Sequence, residues 1–223
     1  MLKLFILPFG IYLKAKTRLI NSNCNILAYL VMAKRLFDIC FAIIGLILAC
    51  SIIAVFFIVA TINTGQNGMF TQIRIGQYGK HFKIYKLRSM KEVLGNKYIT
   101  SLGRFLRKYK IDELPQFYNI LIGNMSFVGP RPDLPGYYDV LQGADREVLK
   151  LKPGLTGPAS LKYAKEEELL AKVNNPLVYN DTVLFPDKVR INLSYQKHWS
   201  LWLDVKIIFY TLFGKQPQEE YLQ

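Results

Sequence analysis

The longest uniform pattern in the chain is apolar: from Ile39 to Ile62 no residue carries a charge. As a continuous helix this run would extend roughly 36 Å at ~1.5 Å per residue, enough to cross a bilayer. Its flanks are both basic, with Lys34 and Arg35 before it and Arg74, Lys80, Lys83, Lys86 and Arg88 after it. No acidic residue precedes Asp38, and none lies between Asp38 and Glu92. By the positive-inside rule both ends ask to be cytoplasmic. A single span and a re-entrant helix with its break satisfied by neighbours both fit the length, and only the second fits both flanks.

After Ile62 the periodicity shortens. Met69 to Ile75 and His81 to Leu87 read as extended segments joined by Gly76-Gln77-Tyr78-Gly79, a hairpin-like pattern. From Ser101 to Lys110 the apolar residues Leu102, Phe105, Leu106 and Tyr109 follow helical spacing, with Arg104, Arg107, Lys108 and Lys110 on the other face. Such a basic amphipathic helix either lies among lipid headgroups or packs on a soluble core. Pro115 disfavours helical geometry at Leu114, so this helix should end near Asp112 and a second should run to about Leu121. Leu201 to Phe213, rich in Trp, Phe, Tyr and Ile, suits a core or an interface.

Composition narrows the picture. A chain of 223 residues can bury one substantial core, and 51% hydrophobic content with a net charge of +13 is not a disordered composition. The positive excess calls for a polyanion, and the apolar run favours a membrane surface or a phosphorylated ligand there over nucleic acid. Cys24, Cys40 and Cys50 have no metal-type spacing and are odd in number, as expected of a reduced, cytoplasm-facing protein. Leu4 to Leu13 after Lys3 loosely imitates a secretory signal, but no cleavage site follows. Met32-Ala33-Lys34-Arg35 reads as a translation start, making residues 1–31 an extension or a start-site artefact.

Asp112 and Glu113 are the first candidates for chemistry. At a helix start a carboxylate pair is commonly a cap. Their setting changes the weighing: Arg107 lies about one turn upstream, and Gly129-Pro130-Arg131-Pro132 follows downstream. Two prolines stiffen that loop and Gly129 permits an unusual turn, which would present Arg131 for two-point contact with a phosphate.

Four blocks then stand in order: Phe82 to Met90, Ile111-Asp112-Glu113-Leu114-Pro115-Gln116, Ser126 to Pro132, and Lys152-Pro153-Gly154-Leu155-Thr156-Gly157. Together they resemble the bacterial sugar transferase family, the monotopic phosphoglycosyltransferases, over about Lys34 to Phe213. The resemblance implies an enzyme that moves a sugar 1-phosphate from a UDP-sugar to undecaprenyl phosphate and releases UMP. It implies Asp112 as nucleophile, Glu113 as a supporting acid/base or positioning group, and Arg131, Lys86 and Arg107 as phosphate-binding cations. It further implies Mg2+ held at Asp112.

Three departures from the family pattern stand out. Ser51-Ile52 occupies the place of a helix-breaking Ser-Pro pair, Asn124 that of a common acidic residue, and Pro158-Ala159-Ser160 that of an apolar residue followed by Ala-Gln. The expected fold class is α/β: a compact membrane-associated catalytic domain with a re-entrant membrane helix and interfacial amphipathic helices. Its expected parts are 1–31 as the extension, 32–62 as the membrane-embedded helix, and 63–223 as the sugar transferase domain on the cytoplasmic face of the bacterial inner membrane. UDP-sugar, undecaprenyl phosphate and membrane lipid are the expected partners, and nucleic acid is not. The competing reading, a non-enzymatic basic membrane protein, accounts for the charge but not for the dyad or the arginine loop.

Overall fold

The hairpin forms as its alternation predicts. In the computed structural model, which describes residues 9–214 and side chains from Tyr29 onward, Met69–Ile75 (β1) pairs antiparallel with His81–Leu87 (β2), Met69 opposite Leu87 and Ile75 opposite His81. Phe82, Ile84 and Leu87 point into the core, while His81 and Lys83 face out. The connecting turn places Tyr78 at φ 59° and Gly79 at φ 76°.

Ahead of the hairpin, helix α1 runs from Phe9 to Thr64. Residues up to Phe37 form one compact unit and those from Asp38 onward another. The stretch Tyr29–Thr64 is apolar and long enough to cross a membrane. Helical geometry continues through Ser51 and Ile52. Of the expected N-terminal extension, residues 1–8 lie outside the described residues and residues 9–31 belong to α1.

Within the second unit, α1 buries a seam of small residues. Ala42, Ala49 and Ala60 are almost fully covered, while Ile44, Ile47, Leu48, Val55, Ile58 and Ile62 are exposed. Small residues let neighbouring groups approach closely: a Cβ on Gly45 would stand 2.8 Å from the Phe117 ring. Phe41 packs edge-on to Phe127 at 6.4 Å, and Phe56 lies 6.1 Å from Phe105. Asp38, 2% exposed, accepts hydrogen bonds from Ser126 Oγ and Phe127 N, each at 3.1 Å. A buried carboxylate whose Oδ1 takes both hydrogen bonds thus ties the start of this seam to the rest of the unit.

A short hairpin that hydrophobic patterning did not predict follows β2: Met90–Val93 (β3) pairs with Asn96–Ile99 (β4). Its two-residue turn, Leu94-Gly95, has φ of 52° and 80°, the left-handed geometry that two-residue hairpins favour. The amphipathic segment is helix α2, Ser101–Lys108, and Thr100 Oγ1 caps it by accepting from Gly103 N at 2.9 Å. Leu106 is its buried apolar residue, while Phe105 and Tyr109 are about half exposed.

The expectation at Leu114 is corrected. Leu114 is right-handed helical despite the following proline, because the chain passes through a tight 3-10 turn, Ile111–Glu113, into helix α3, Gln116–Leu121. Pro115 falls at the start of α3, where its missing N–H has no partner to lose. Asn119, fully buried, anchors α3 to β2: its Oδ1 accepts from Tyr85 N at 3.1 Å and its Nδ2 donates to Lys83 O at 2.7 Å.

Ser126–Val128 (β5) lies parallel to Gly154–Thr156 (β6). Three short helices follow, Pro158–Lys162 (α4), Glu166–Leu170 (α5) and Pro176–Tyr179 (α6). The last two, Phe185–Lys197 (α7) and Leu201–Phe213 (α8), meet at a polar corner. There buried Asp204 accepts from Tyr195 OH at 2.6 Å and Trp199 Nε1 at 3.1 Å. The second unit therefore mixes helix and strand, as expected.

Candidate active site

Lys110, held at φ 57°, reverses the chain out of α2, so that the 3-10 turn presents Asp112 and Glu113 inward. Both carboxylates are buried, at 7% and 8% exposure. Neither acts as a helix cap: no side chain caps the 3-10 turn or α3. They are also electrostatically unlike. Glu113 Oε1 accepts from Lys86 Nζ at 3.0 Å and from Arg131 Nη2 at 2.8 Å. Burial alone would raise its pKa, but Arg131 and Lys86 more than reverse that and bring it to about 2. Asp112 has no such pair, and its buried Oδ1 lacks any hydrogen-bond partner. Burial, reinforced by the charge of Glu113, pushes its pKa up, against the opposing charges of Lys86, Lys110 and Arg107.

Arg131 reaches the dyad because two loops pack backbone against backbone. Gly129 N donates to Thr156 O at 3.0 Å, and Gly154 N donates to Pro130 O at 2.7 Å. A Cβ on Gly129 would lie 2.2 Å from Lys152 O, and one on Gly157 would lie 2.2 Å from Gly129 O. The expected reason for Gly129 is therefore corrected: it is not among the residues with positive φ, and it is required because the Lys152–Gly154 chain passes where a side chain would stand. The Lys152 to Gly157 block, legible only as a loop shape, is the other half of this contact.

Four of the five residues singled out from sequence thus converge: Asp112, Glu113, Lys86 and Arg131. Arg107 stands apart from the ion pairs, donating from Nε to Ser89 Oγ at 3.0 Å, though its charge reaches Asp112. Sequence reasoning missed two neighbours. Arg74, on β1, and Gln116, at the start of α3, line a small open cleft with Lys86 and Arg131. In the sequence Arg74 reads only as a charge flanking the apolar run. Its Nη1 donates to Pro132 O at 3.3 Å and its Nη2 to Gln72 Oε1 at 2.7 Å, while burial pushes its pKa down. Gln116 belongs to the Ile111 to Gln116 block, but nothing in the pattern distinguishes it from a helix-surface residue.

The donor set bears on a metal. Among the described residues no group of three His, Cys, Asp or Glu side chains could hold an ion, and Glu113 Oε1 is engaged by two cations. Asp112 Oδ1, a hard oxygen without a partner, fits a magnesium-type ion that takes most of its remaining ligands from phosphate oxygens and water.

The site thus sets a buried, cation-locked carboxylate beside an unpaired one, next to a small cleft lined by basic side chains. The match to known proteins is specific. A profile described as Bacterial sugar transferase covers residues 29–215, and the chain belongs to that family. It is 38% identical over 197 residues to a UDP-glucose:undecaprenyl-phosphate glucose-1-phosphate transferase of Klebsiella pneumoniae, covering 81% of this chain and 39% of that one. It is 33% identical to an undecaprenyl-phosphate galactose phosphotransferase of Salmonella typhimurium, covering 80% and 39%. It is also 33% identical to the uncharacterized sugar transferase EpsL of Bacillus subtilis, where the match covers 80% of this chain and 85% of the relative. The chain spans less than half the length of several curated relatives it matches.

Proposed function

We propose that this protein transfers a sugar 1-phosphate from a UDP-sugar to undecaprenyl phosphate, starting assembly of a bacterial glycan. The observation that carries this reading is the unlike dyad: Asp112 is buried and unpartnered while its neighbour is locked between two cations. The names of the relatives, which act on undecaprenyl phosphate with glucose or galactose donors, support the same substrate classes.

An Asp112 carboxylate oxygen attacks the sugar-linked phosphorus of the donor. The bond from that phosphorus to the bridging oxygen breaks, and its electron pair leaves with UMP. An acyl phosphate joining Asp112 to the sugar phosphate remains. A phosphate oxygen of the lipid then attacks the same phosphorus and the Asp112 carboxylate departs, so the pair of steps consumes no net proton. Glu113, with a pKa of about 2, stays ionised and acts by fixing Lys86 and Arg131 where negative charge shifts between oxygens. A bound magnesium ion would add charge neutralisation on the diphosphate.

Packing within the second unit supports a shallow membrane seat. Phe41 packs on Phe127, and Phe56, fifteen positions on, packs on Phe105, so about 22 Å of helix axis lies alongside β5 and α2. A helix crossing the bilayer at right angles there would carry α2, with Arg104, Arg107 and Lys108, toward the hydrocarbon. A shallow or re-entrant seat keeps those cations at the headgroups and leaves Ile44, Ile47, Leu48, Val55 and Ile58 to face lipid. It also puts the site at the cytoplasmic headgroup layer, where a lipid phosphate and a soluble nucleotide sugar can meet. Single cysteines at Lys34 and Lys80 are expected to react with an impermeant thiol reagent from the same, cytoplasmic side. Labelling from opposite sides would replace this seat by a single span.

The reaction is tested by incubating purified protein with undecaprenyl phosphate, magnesium and a panel of UDP-sugars. UMP release is expected with at least one sugar, and acid quenching before the lipid is added should leave labelled sugar phosphate on Asp112. UMP release that requires the lipid and leaves no covalent label would instead mean direct transfer. The competing reading of a non-enzymatic lipid-binding protein predicts no UMP with any sugar.

A further inference from the structure

The cleft beside the dyad holds more donors than the fold uses. Arg74, Lys86, Gln116 and Arg131 line it over Ile84 and Gly154, and the carboxylate that pairs with two of the cations is Glu113. Arg74 Nε and Gln116 Nε2 are buried without a hydrogen-bond partner, and Gln116 is only 2% exposed. A buried donor left unmatched costs folding free energy, and native proteins keep few of them without a ligand, ion or water to satisfy them. Here two lie in one cleft, both donors, beside two further cations. Arg74 spends its Nη1 and Nη2 on Pro132 and Gln72, which fixes the guanidinium plane and leaves Nε as the group available to a ligand.

An acceptor-only ligand with several oxygens matches this set, and a phosphate group is such a ligand. We infer that Arg74 and Gln116 are binding residues for a phosphate group, each donating to one of its oxygens while Lys86 and Arg131 supply the remaining charge. This rests on the proposed transferase reading for the identity of the ligand and deepens it by naming residues on β1 and at the start of α3. The phosphate could come from the nucleotide or from the lipid acceptor. Lys86 and Arg131, which line the cleft, also pair with Glu113, the residue next to Asp112, so either source would bind beside the dyad.

The test uses the full chain in lipid nanodiscs carrying Asp112→Asn, so that binding is read without turnover. UDP and, separately, farnesyl phosphate are titrated against this protein and against versions that also carry Gln116→Met or Arg74→Leu. Gln116→Met is nearly isosteric and removes only the amide, so it keeps the test valid if Arg74→Leu fails to fold, and thermal melting checks both. Loss of one charge-assisted hydrogen bond is expected to weaken at least one ligand roughly 10- to 100-fold. Weakening confined to UDP assigns the cleft to the donor, and weakening confined to farnesyl phosphate assigns it to the acceptor. Unchanged affinity for both in folded Gln116→Met protein, or no binding by the parent protein, overturns the inference. The two claims separate cleanly: Gln116-dependent UDP binding in this protein, together with no sugar phosphate transfer by the unsubstituted protein from any UDP-sugar, would end the transferase reading and leave this one standing.

Discussion

Replacing Asp112 by asparagine is expected to lower sugar phosphate transfer by roughly 10⁴-fold or more while leaving the melting temperature equal to or above that of the unsubstituted protein. The two halves have one cause. Asp112 is buried, has an Oδ1 without a partner and sits beside a second carboxylate, so its charge is a net cost in the folded state that Lys86, Lys110 and Arg107 only partly offset. Its pKa is raised on folding, so its contribution to stability is greatest at acid pH and is lost as pH rises through the folded value. Neutral asparagine removes that cost along with the nucleophile. Glu113 has the opposite sign: its pKa falls from 4.5 to about 2, so it stabilises the fold above pH 4.5 and loses that contribution only as pH falls through about 2. Glu113→Gln should therefore lower the melting temperature at neutral pH, since Lys86 and Arg131 would be left facing each other. Attack requires ionised Asp112, so the acid limb of kcat should lie above the ordinary aspartate range, and Glu113→Gln should move it to lower pH. Measuring melting temperature and UMP release on both variants decides the matter. An Asp112→Asn protein that turns over normally, or one that loses activity only because it unfolds, would remove Asp112 from the chemistry.

How much of this was legible beforehand depends on the range of each interaction. Strands β1 and β2 and helix α2 announce themselves because their periodicity is local, whereas Leu201 to Phe213 shows only its apolar composition. The β3–β4 hairpin does not: its strands have four residues each and are largely exposed, so no apolar alternation marks them, and only the Leu94-Gly95 turn hints at their pairing. Asp112, Glu113, Lys86 and Arg131 were found through block order, but the contrast within the dyad was not, because Arg131 reaches Glu113 from 18 positions away. Asp38 is the clearest loss. In sequence it is one acid at the edge of an apolar run, and its function is a tether to residues 88 and 89 positions further on. Asn119 is similar: a polar residue in a short helix, it satisfies the backbone of β2 on the side that has no neighbouring strand. Arg107 shows the converse, a basic residue ahead of the dyad whose Nε donates to a serine hydroxyl.

The substitution Gly154→Ala is expected to cost on the order of 3 kcal/mol or more of stability, and to lower transfer about 100-fold even in protein that still folds. An added Cβ would meet Gly129 N at 2.2 Å, Thr156 O at 2.4 Å and Gly129 O at 2.6 Å. All three are backbone atoms in the β5–β6 contact, so no side chain can swing aside, and the two loops must separate. Separation breaks the bond from Gly154 N to Pro130 O and moves the next residue, Arg131, away from Glu113. The site then loses one of the two cations that keep Glu113 ionised, and the cleft loses a wall, since Gly154 lines it directly. Gly95→Ala is the informative contrast. A Cβ there meets nothing within 4 Å, though φ is +80°, so it should cost about 1 kcal/mol through backbone strain alone and leave transfer untouched. Chemical denaturation of both variants, read beside their kcat, separates strain in a distant turn from loss of the contact that aims Arg131. Equal kcat in Gly154→Ala and unsubstituted protein would mean that Arg131 finds Glu113 without the glycine contact, and that its loop is held by other means.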